Sequence, residues 1–192
     1  MKVIILASNS SRRKEILENL GIDFRVISSN IDERIDKQLS PTEIAEHFAY
    51  LKAKNVSGKL NGPYIVIGAD TVVECDGILG KPQNEQDAYR MLKLLSGRVH
   101  RVITGFAIID CLTDQQFIDH ESTKVYFKKL GDKEIQSYIA TDEYIDKAGA
   151  YGIQGKASLF IEKIEGDYFN VVGLPVFRLN MALYNNFNIS FL

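Results

Sequence analysis

The sequence predicts an α/β protein, with a mixed sheet and flanking helices. Three observations carry that expectation. Near the start, a short apolar run over residues 3–7 passes through a polar turn into a helical pattern. Helix-spaced and strand-like segments then alternate along the first half of the chain. The middle is dominated by hairpin signals, which fit a mixed sheet better than a purely parallel one. The 192 residues suit one domain, 1–192, or two closely joined lobes, and are enough to bury a sizeable core.

Taken in order, residues 3–7 read as a buried strand and 8–11 as a turn. Ile16, Leu17 and Leu20 supply the apolar positions of a helix over 11–20, with Gly21 placed to end it. Ile22, Phe24 and Val26 alternate with Asp23 and Arg25, as in a half-buried strand. Ser40-Pro41-Thr42-Glu43 has the form of a capping box with proline at the first helical position. Ile44, Phe48 and Leu51 form the apolar stripe that follows, and residues 58–63 end the helix in a loop. Residues 64–67 make an apolar strand that runs into Gly68-Ala69-Asp70-Thr71 and continues through Val72-Val73. Asp76-Gly77 is a hairpin turn toward Ile78-Leu79.

Asn84 then caps a helix over about 84–95, whose inward positions are Ala88, Met91, Leu92 and Leu95. Residues 99–110 and 117–127 are strand-like and read as a long antiparallel pair. Residues 132–140 form a short helix with Ile135, Tyr138 and Ile139 inward. A glycine- and alanine-rich stretch covers 147–157. Residues 159–164 and 169–172 read as two strands joined by a hairpin at Glu165-Gly166-Asp167. Leu174-Pro175 opens a last helix to about residue 186.

Composition narrows the function. Formal net charge is -2, so there is no global basic field to attract nucleic acid. The two cysteines, Cys75 and Cys111, and the three histidines form no zinc-ligand pattern, and free thiols fit a reducing compartment. The opening apolar run of about five residues is too short for a signal-peptide core or a membrane span. A cytoplasmic protein with neither nucleic acid nor membrane as partner is expected.

Four stretches could carry chemistry. Arg12, Arg13 and Lys14 open the first helix, although a helix N-terminus is already partially positive. Free amides there, with Ser8, Ser10 and Ser11 and two guanidinium forks, suit a bound phosphate; a solvated basic face capped by serine is the plainer alternative. Asp70 is a carboxylate within an apolar strand, so it is metal-bound, activates water, or accepts bonds from neighbouring amides. Lys52 and Lys81 are surface lysines unless they converge with Arg12 and Arg13. Finally, Gln154 in the segment 146–155 offers one donor and one acceptor, which match the imide edge of uracil or thymine; a turning glycine-rich loop is the competing account.

Together these stretches resemble the Maf family of nucleotide pyrophosphatases. The matching pieces are Ser8-Asn9-Ser10-Ser11-Arg12-Arg13, Gly68-Ala69-Asp70-Thr71, Gly80-Lys81-Pro82, Leu95-Ser96-Gly97, Asp146-Lys147-Ala148-Gly149-Ala150-Tyr151-Gly152-Ile153-Gln154-Gly155 and Gly173-Leu174-Pro175. They occur in family order across nearly the whole chain, with Ser11 where the usual motif has proline. The resemblance implies a single domain with two lobes around a central cleft and a strongly twisted mixed sheet, similar to the inosine triphosphatase family. It implies hydrolysis of a nucleoside triphosphate to monophosphate and pyrophosphate with a divalent metal, Mg2+ or Mn2+. Carried over, Asp70 is the proton acceptor or mainly a metal ligand. Ser8, Arg12, Arg13, Lys52 and Lys81 bind phosphate, and Glu33 is a further acid that helps hold the metal. Arg12, Thr71 and Gln154 match the specificity positions of the branch acting on dTTP and UTP. The family also admits a homodimer. The alternatives are a 7-methyl-GTP pyrophosphatase and a non-catalytic nucleotide-binding regulator of septum formation.

Overall fold

The computed structural model describes residues 2–32 and 39–191. Its strands are β1 (Val3–Leu6), β2 (Phe24–Val26), β3 (Tyr64–Glu74), β4 (Ile78–Leu79), β5 (Val99–Asp110), β6 (Gln116–Phe127) and β7 (Ile161–Glu165). Its α-helices are α1 (Ser11–Asn19), α2 (Pro41–Ser57), α3 (Glu85–Leu95), α4 (Asp132–Ile139), α5 (Tyr168–Val172) and α6 (Val176–Phe187). The strands form one mixed sheet in the order β2-β1-β3-β5-β6-β7, with β4 paired to β3. β1 runs parallel to both β2 and β3, while the pairs from β3 to β7 are antiparallel. No helix among the described residues is long and apolar enough to cross a membrane.

The sheet opens at one place. β1 pairs with β3 only as far as Ile67, and β4 joins β3 only from Val73. Among the described residues, Asp70, Thr71 and Val72 therefore have a strand neighbour on the β5 side alone. A ligand at such a gap can meet side chains from both faces of the sheet.

α2 covers one face. The expected capping box starts it: Ser40 Oγ accepts from Glu43 N at 3.3 Å and Glu43 Oε2 accepts from Ser40 N at 2.8 Å. Ala45, Ala49 and Ala53 recur at four-residue spacing and lie against Gly105 and Gly68. A Cβ on Gly105 would stand 2.4 Å from the Ala45 carbonyl, and one on Gly68 would stand 2.3 Å from the Ala49 oxygen. Only glycine allows so close an approach. The opposite face buries Ile67 and Phe106 with Leu17 of α1, Val172 of α5 and Leu179 and Leu183 of α6. Farther along that face, α3 and α4 close over Val73 and Val102 through Leu92, Ile135 and Tyr138.

Two readings from sequence are corrected. Residues 169–172 form α5, not a strand. Glu165-Gly166-Asp167 has hairpin composition, but Asp167 Oδ1 accepts from Phe169 N at 2.7 Å and caps a helical turn. Burial of Asn170 and Val172 beneath the sheet overrides the strand preference of the valines. The strand expected from 159 begins at Ile161, after a 3-10 turn over Lys156–Phe160.

One buried group is expected to make the fold acid-sensitive. His100 is 2% exposed; its Nε2 lies 2.7 Å from the Tyr151 hydroxyl, and its Nδ1 has no hydrogen-bond partner among the described residues. Burial pushes this imidazole from 6.5 down to about 4. The unfolded chain therefore binds a proton that the folded chain refuses, and stability should fall as pH drops from 6.5 toward about 4. Urea titrations across that window should show a shallower decline for His100→Phe; an unchanged slope would remove His100 as the cause.

Candidate active site

The gap in the sheet opens onto a cleft with a cavity of about 310 Å³. β3 forms its floor. Strand alternation sends Asp70 toward α2 and Thr71 to the opposite face.

On the α2 face, Lys52 shares the inward stripe of Ile44, Phe48 and Val56. Its Nζ donates to Asp70 Oδ1 at 2.5 Å, with side chains only 11% and 16% exposed. Each charge needs the other so far from water. The bond also fixes the carboxylate. Asp70 Oδ2 accepts no hydrogen bond among the described residues and is left to meet a ligand.

On the other face, Arg13 is buried, and three side-chain hydrogen bonds help to hold it. Nε donates to the Gly173 carbonyl at 2.7 Å, Nη1 to Ser8 Oγ at 3.3 Å and Nη2 to Thr71 Oγ1 at 3.0 Å. Gly173 takes φ 126, a conformation that favours glycine. The odd charge pattern of α1 is thereby explained. Ser10 caps the helix, Arg13 folds back into its own cradle, and Lys14 lies 3.4 Å from Glu18. Arg12 alone of the three makes no hydrogen bond or ion pair among the described residues.

Arg12 instead lines the cleft, where burial draws its pKa down while Glu15 opposes the shift. Lys147 also lines it and is lowered by burial first and by Arg12 second. Two partly desolvated, mutually repelling cations favour negative charge between them. Lys81, exposed just beyond β4, adds a third. Its loop is tied to the segment 146–155 by Gly149 N donating to the Gly80 carbonyl at 3.0 Å.

Arg12, Arg13, Asp70, Thr71, Lys81 and Gln154 thus line one cleft. Lys52 reaches it through Asp70. Ser8 sits behind Arg13 and positions it. Glu33 lies outside the described residues. Sequence reasoning did not single out Lys147, whose signal is the bareness of Gly152. A Cβ at Gly152 would stand 3.0 Å from both Cδ and Cε of Lys147, so the glycine makes room for the lysine stem.

A Mg2+-class ion takes hard oxygen donors and is commonly held by one or two carboxylates together with substrate phosphates. Asp70 Oδ2 fits that role. The one trio of potential ligands among the described residues, Glu46, Asp119 and His120, lies elsewhere. There His120 Nδ1 is 2.8 Å from Glu46, and Asp119 is 3.5 Å from Arg178. The cleft therefore suits an ion shared with a phosphorylated ligand better than one held in an all-protein cage.

The family model described as "Maf-like protein" matches residues 3–186. The chain belongs to the Maf family. Among Maf relatives, the "dTTP/UTP pyrophosphatase" of Alkaliphilus oremlandii is 62% identical over 192 residues, covering 100% of both chains. The protein of the same name from Alkaliphilus metalliredigens is 53% identical, again over 100% of both. Among solved structures, the Ham1 protein of Staphylococcus aureus aligns at TM-score 0.46 and 17% identity, over 66% of this Maf chain and 72% of that one.

Proposed function

We propose that this Maf protein hydrolyses dTTP and UTP between the α- and β-phosphates, releasing the monophosphate and pyrophosphate. The observation that carries the reading is a shielded carboxylate, Asp70, with one oxygen pinned by Lys52 and the other facing a cation-lined cleft. The full-length relatives bearing the name dTTP/UTP pyrophosphatase support the substrate class.

A nucleoside triphosphate carries about four negative charges near neutral pH, so catalysis depends on offsetting them. Arg12, Lys81 and Lys147 supply positive charge along the cleft, and Arg13 adds a fixed positive field to its floor. Asp70 Oδ2 accepts a proton from the attacking water. The water oxygen bonds to the α-phosphorus, the α–β anhydride bond breaks, and pyrophosphate leaves with its charge offset by the cations. A bound Mg2+ or Mn2+, held by Asp70 and the phosphates, would polarise the phosphate oxygens.

Gln154 is assigned to the base. Its amide can donate to O4 and accept from N3–H of uracil or thymine, whereas cytosine reverses both.

The test is a panel of triphosphates incubated with the protein and Mg2+, with pyrophosphate and orthophosphate assayed separately. UTP and dTTP should yield pyrophosphate. Orthophosphate in its place would mark a phosphatase, and no product from any nucleotide would favour a binding-only regulator. Gln154→Ala should narrow the UTP-to-CTP preference by about fivefold, the equivalent of one hydrogen bond. An unchanged preference would place base reading on other residues.

A further inference from the structure

Beneath Thr71 lies a chain of hydroxyls whose hydrogen-bond directions are forced. Thr104 Oγ1 donates to the Asn170 carbonyl at 2.8 Å, and a carbonyl can only accept. Thr104 has one hydroxyl proton, now used. At the 2.9 Å contact between the two threonine hydroxyls, the donor must therefore be Thr71. Arg13 Nη2 can only donate, so Thr71 accepts at that 3.0 Å contact. The proton of Thr71 is committed inward, and one oxygen lone pair remains for the cleft.

The far end of the chain is equally determined. Thr104 N donates to Asn170 Oδ1 at 3.1 Å, and Asn170 Nδ2 donates to the Val102 carbonyl and to Thr123 Oγ1, both at 2.9 Å. Thr123 Oγ1 in turn donates to the Asp167 carbonyl at 2.9 Å. Flipping the Asn170 amide would set donors against the Thr104 N–H. Thr104, Thr123 and Asn170 are all 0% exposed, so water cannot compensate a broken link.

We infer that Thr104, anchored on Asn170, is a positioning residue for substrate selection: it holds Thr71 as a hydrogen-bond acceptor toward the cleft. The nucleotide group favoured at Thr71 is then one that donates: the ribose 2′-hydroxyl, or the base imide N–H in a pose where Gln154 reads only O4. A group that can only accept there meets a lone pair and is disfavoured. This inference rests on the proposed nucleotide hydrolysis and adds the part of the fold that sets its polarity.

Thr104→Val keeps the shape but removes the acceptor, freeing Thr71 to turn its proton toward the cleft. Thr104→Ser keeps the acceptor. The measurement is kcat/KM for UTP, CTP and dUTP, read as pyrophosphate release. UTP and CTP differ at the base edge, while UTP and dUTP differ only at the 2′-hydroxyl. If Thr71 reads the base, Thr104→Val should lower the UTP-to-CTP ratio at least about fivefold; if it reads the ribose, the UTP-to-dUTP ratio should fall instead. Thr104→Ser should stay within about twofold of wild type in both. Thr71→Val should move the same ratio as Thr104→Val, and it carries the test if Thr104→Val does not fold. Unchanged ratios in these valine variants beside an active wild type would overturn the inference, as would an equal shift in Thr104→Ser. A wild-type protein inactive toward all nucleotides would instead remove the functional reading and this inference with it.

Discussion

Asp70→Asn should lower kcat for pyrophosphate release from UTP by about 10²–10⁴-fold while leaving nucleotide affinity within a few-fold. The amide reproduces the shape of the carboxylate, and its oxygen can still accept the Lys52 bond seen at 2.5 Å. What it cannot do is take a proton from water. Binding should persist because the cations along the cleft are untouched and a metal ion would keep its phosphate ligands, with an amide oxygen in place of the carboxylate. Single-turnover rates, paired with calorimetric titration of the nucleotide, separate the two effects. A variant with near wild-type turnover would remove Asp70 from the chemistry. One that lost binding and turnover together would make Asp70 chiefly a means of holding substrate.

Gly105→Ala should destabilise the fold by about 3 kcal/mol or more, the range expected when a closely packed contact is overfilled. The added Cβ would lie 2.4 Å from the carbonyl carbon and oxygen of Ala45 and 2.5 Å from Glu46 N. These are backbone atoms of α2, so no side chain can swing aside. The helix itself must move, and it carries Lys52 away from Asp70. Activity should therefore fall more steeply than the folded fraction in urea titrations. Trimming Ala45 to glycine should give no rescue, because the clash is not with a side chain. Gly80→Ala is the control. Nothing lies within 4 Å of a Cβ there, and its stability should stay within about 0.5 kcal/mol of wild type. A mild effect at Gly105 would mean that α2 can ride over the sheet.

Some of this architecture was legible in the residues. The capping box at Ser40, the stripe of α3 and the long pairing of β5 with β6 follow from local pattern, and each lies where the pattern put it. The three cations opening α1 were visible as an anomaly, but their solution was not. Arg13 is held by Gly173 and Thr71, 160 and 58 positions away, and no local rule reaches that far. Lys52 could have been recognised as inward-facing, since it falls four residues after Phe48 and four before Val56. Its partner could not, because the pairing with Asp70 depends on how α2 lies over β3. α5 was misread for a different reason: two valines favour a strand locally, while Asn170 is required inside as the end of a hydroxyl chain. That requirement is tertiary and leaves no mark in composition.

The alternation of β3 has one more consequence. Asp70 and Thr71 are neighbours in the chain, yet they serve opposite walls of the cleft, one toward Lys52 and one toward Arg13. A single inserted or deleted residue ahead of Asp70 in β3 would exchange them, putting a hydroxyl beside the lysine and a carboxylate beside the arginine. Both walls would keep plausible partners, and the sheet could still close. The frame of this strand therefore sets which wall carries the carboxylate and which the hydroxyl. Length in β3 should be less tolerant of change than the identity of most of its side chains.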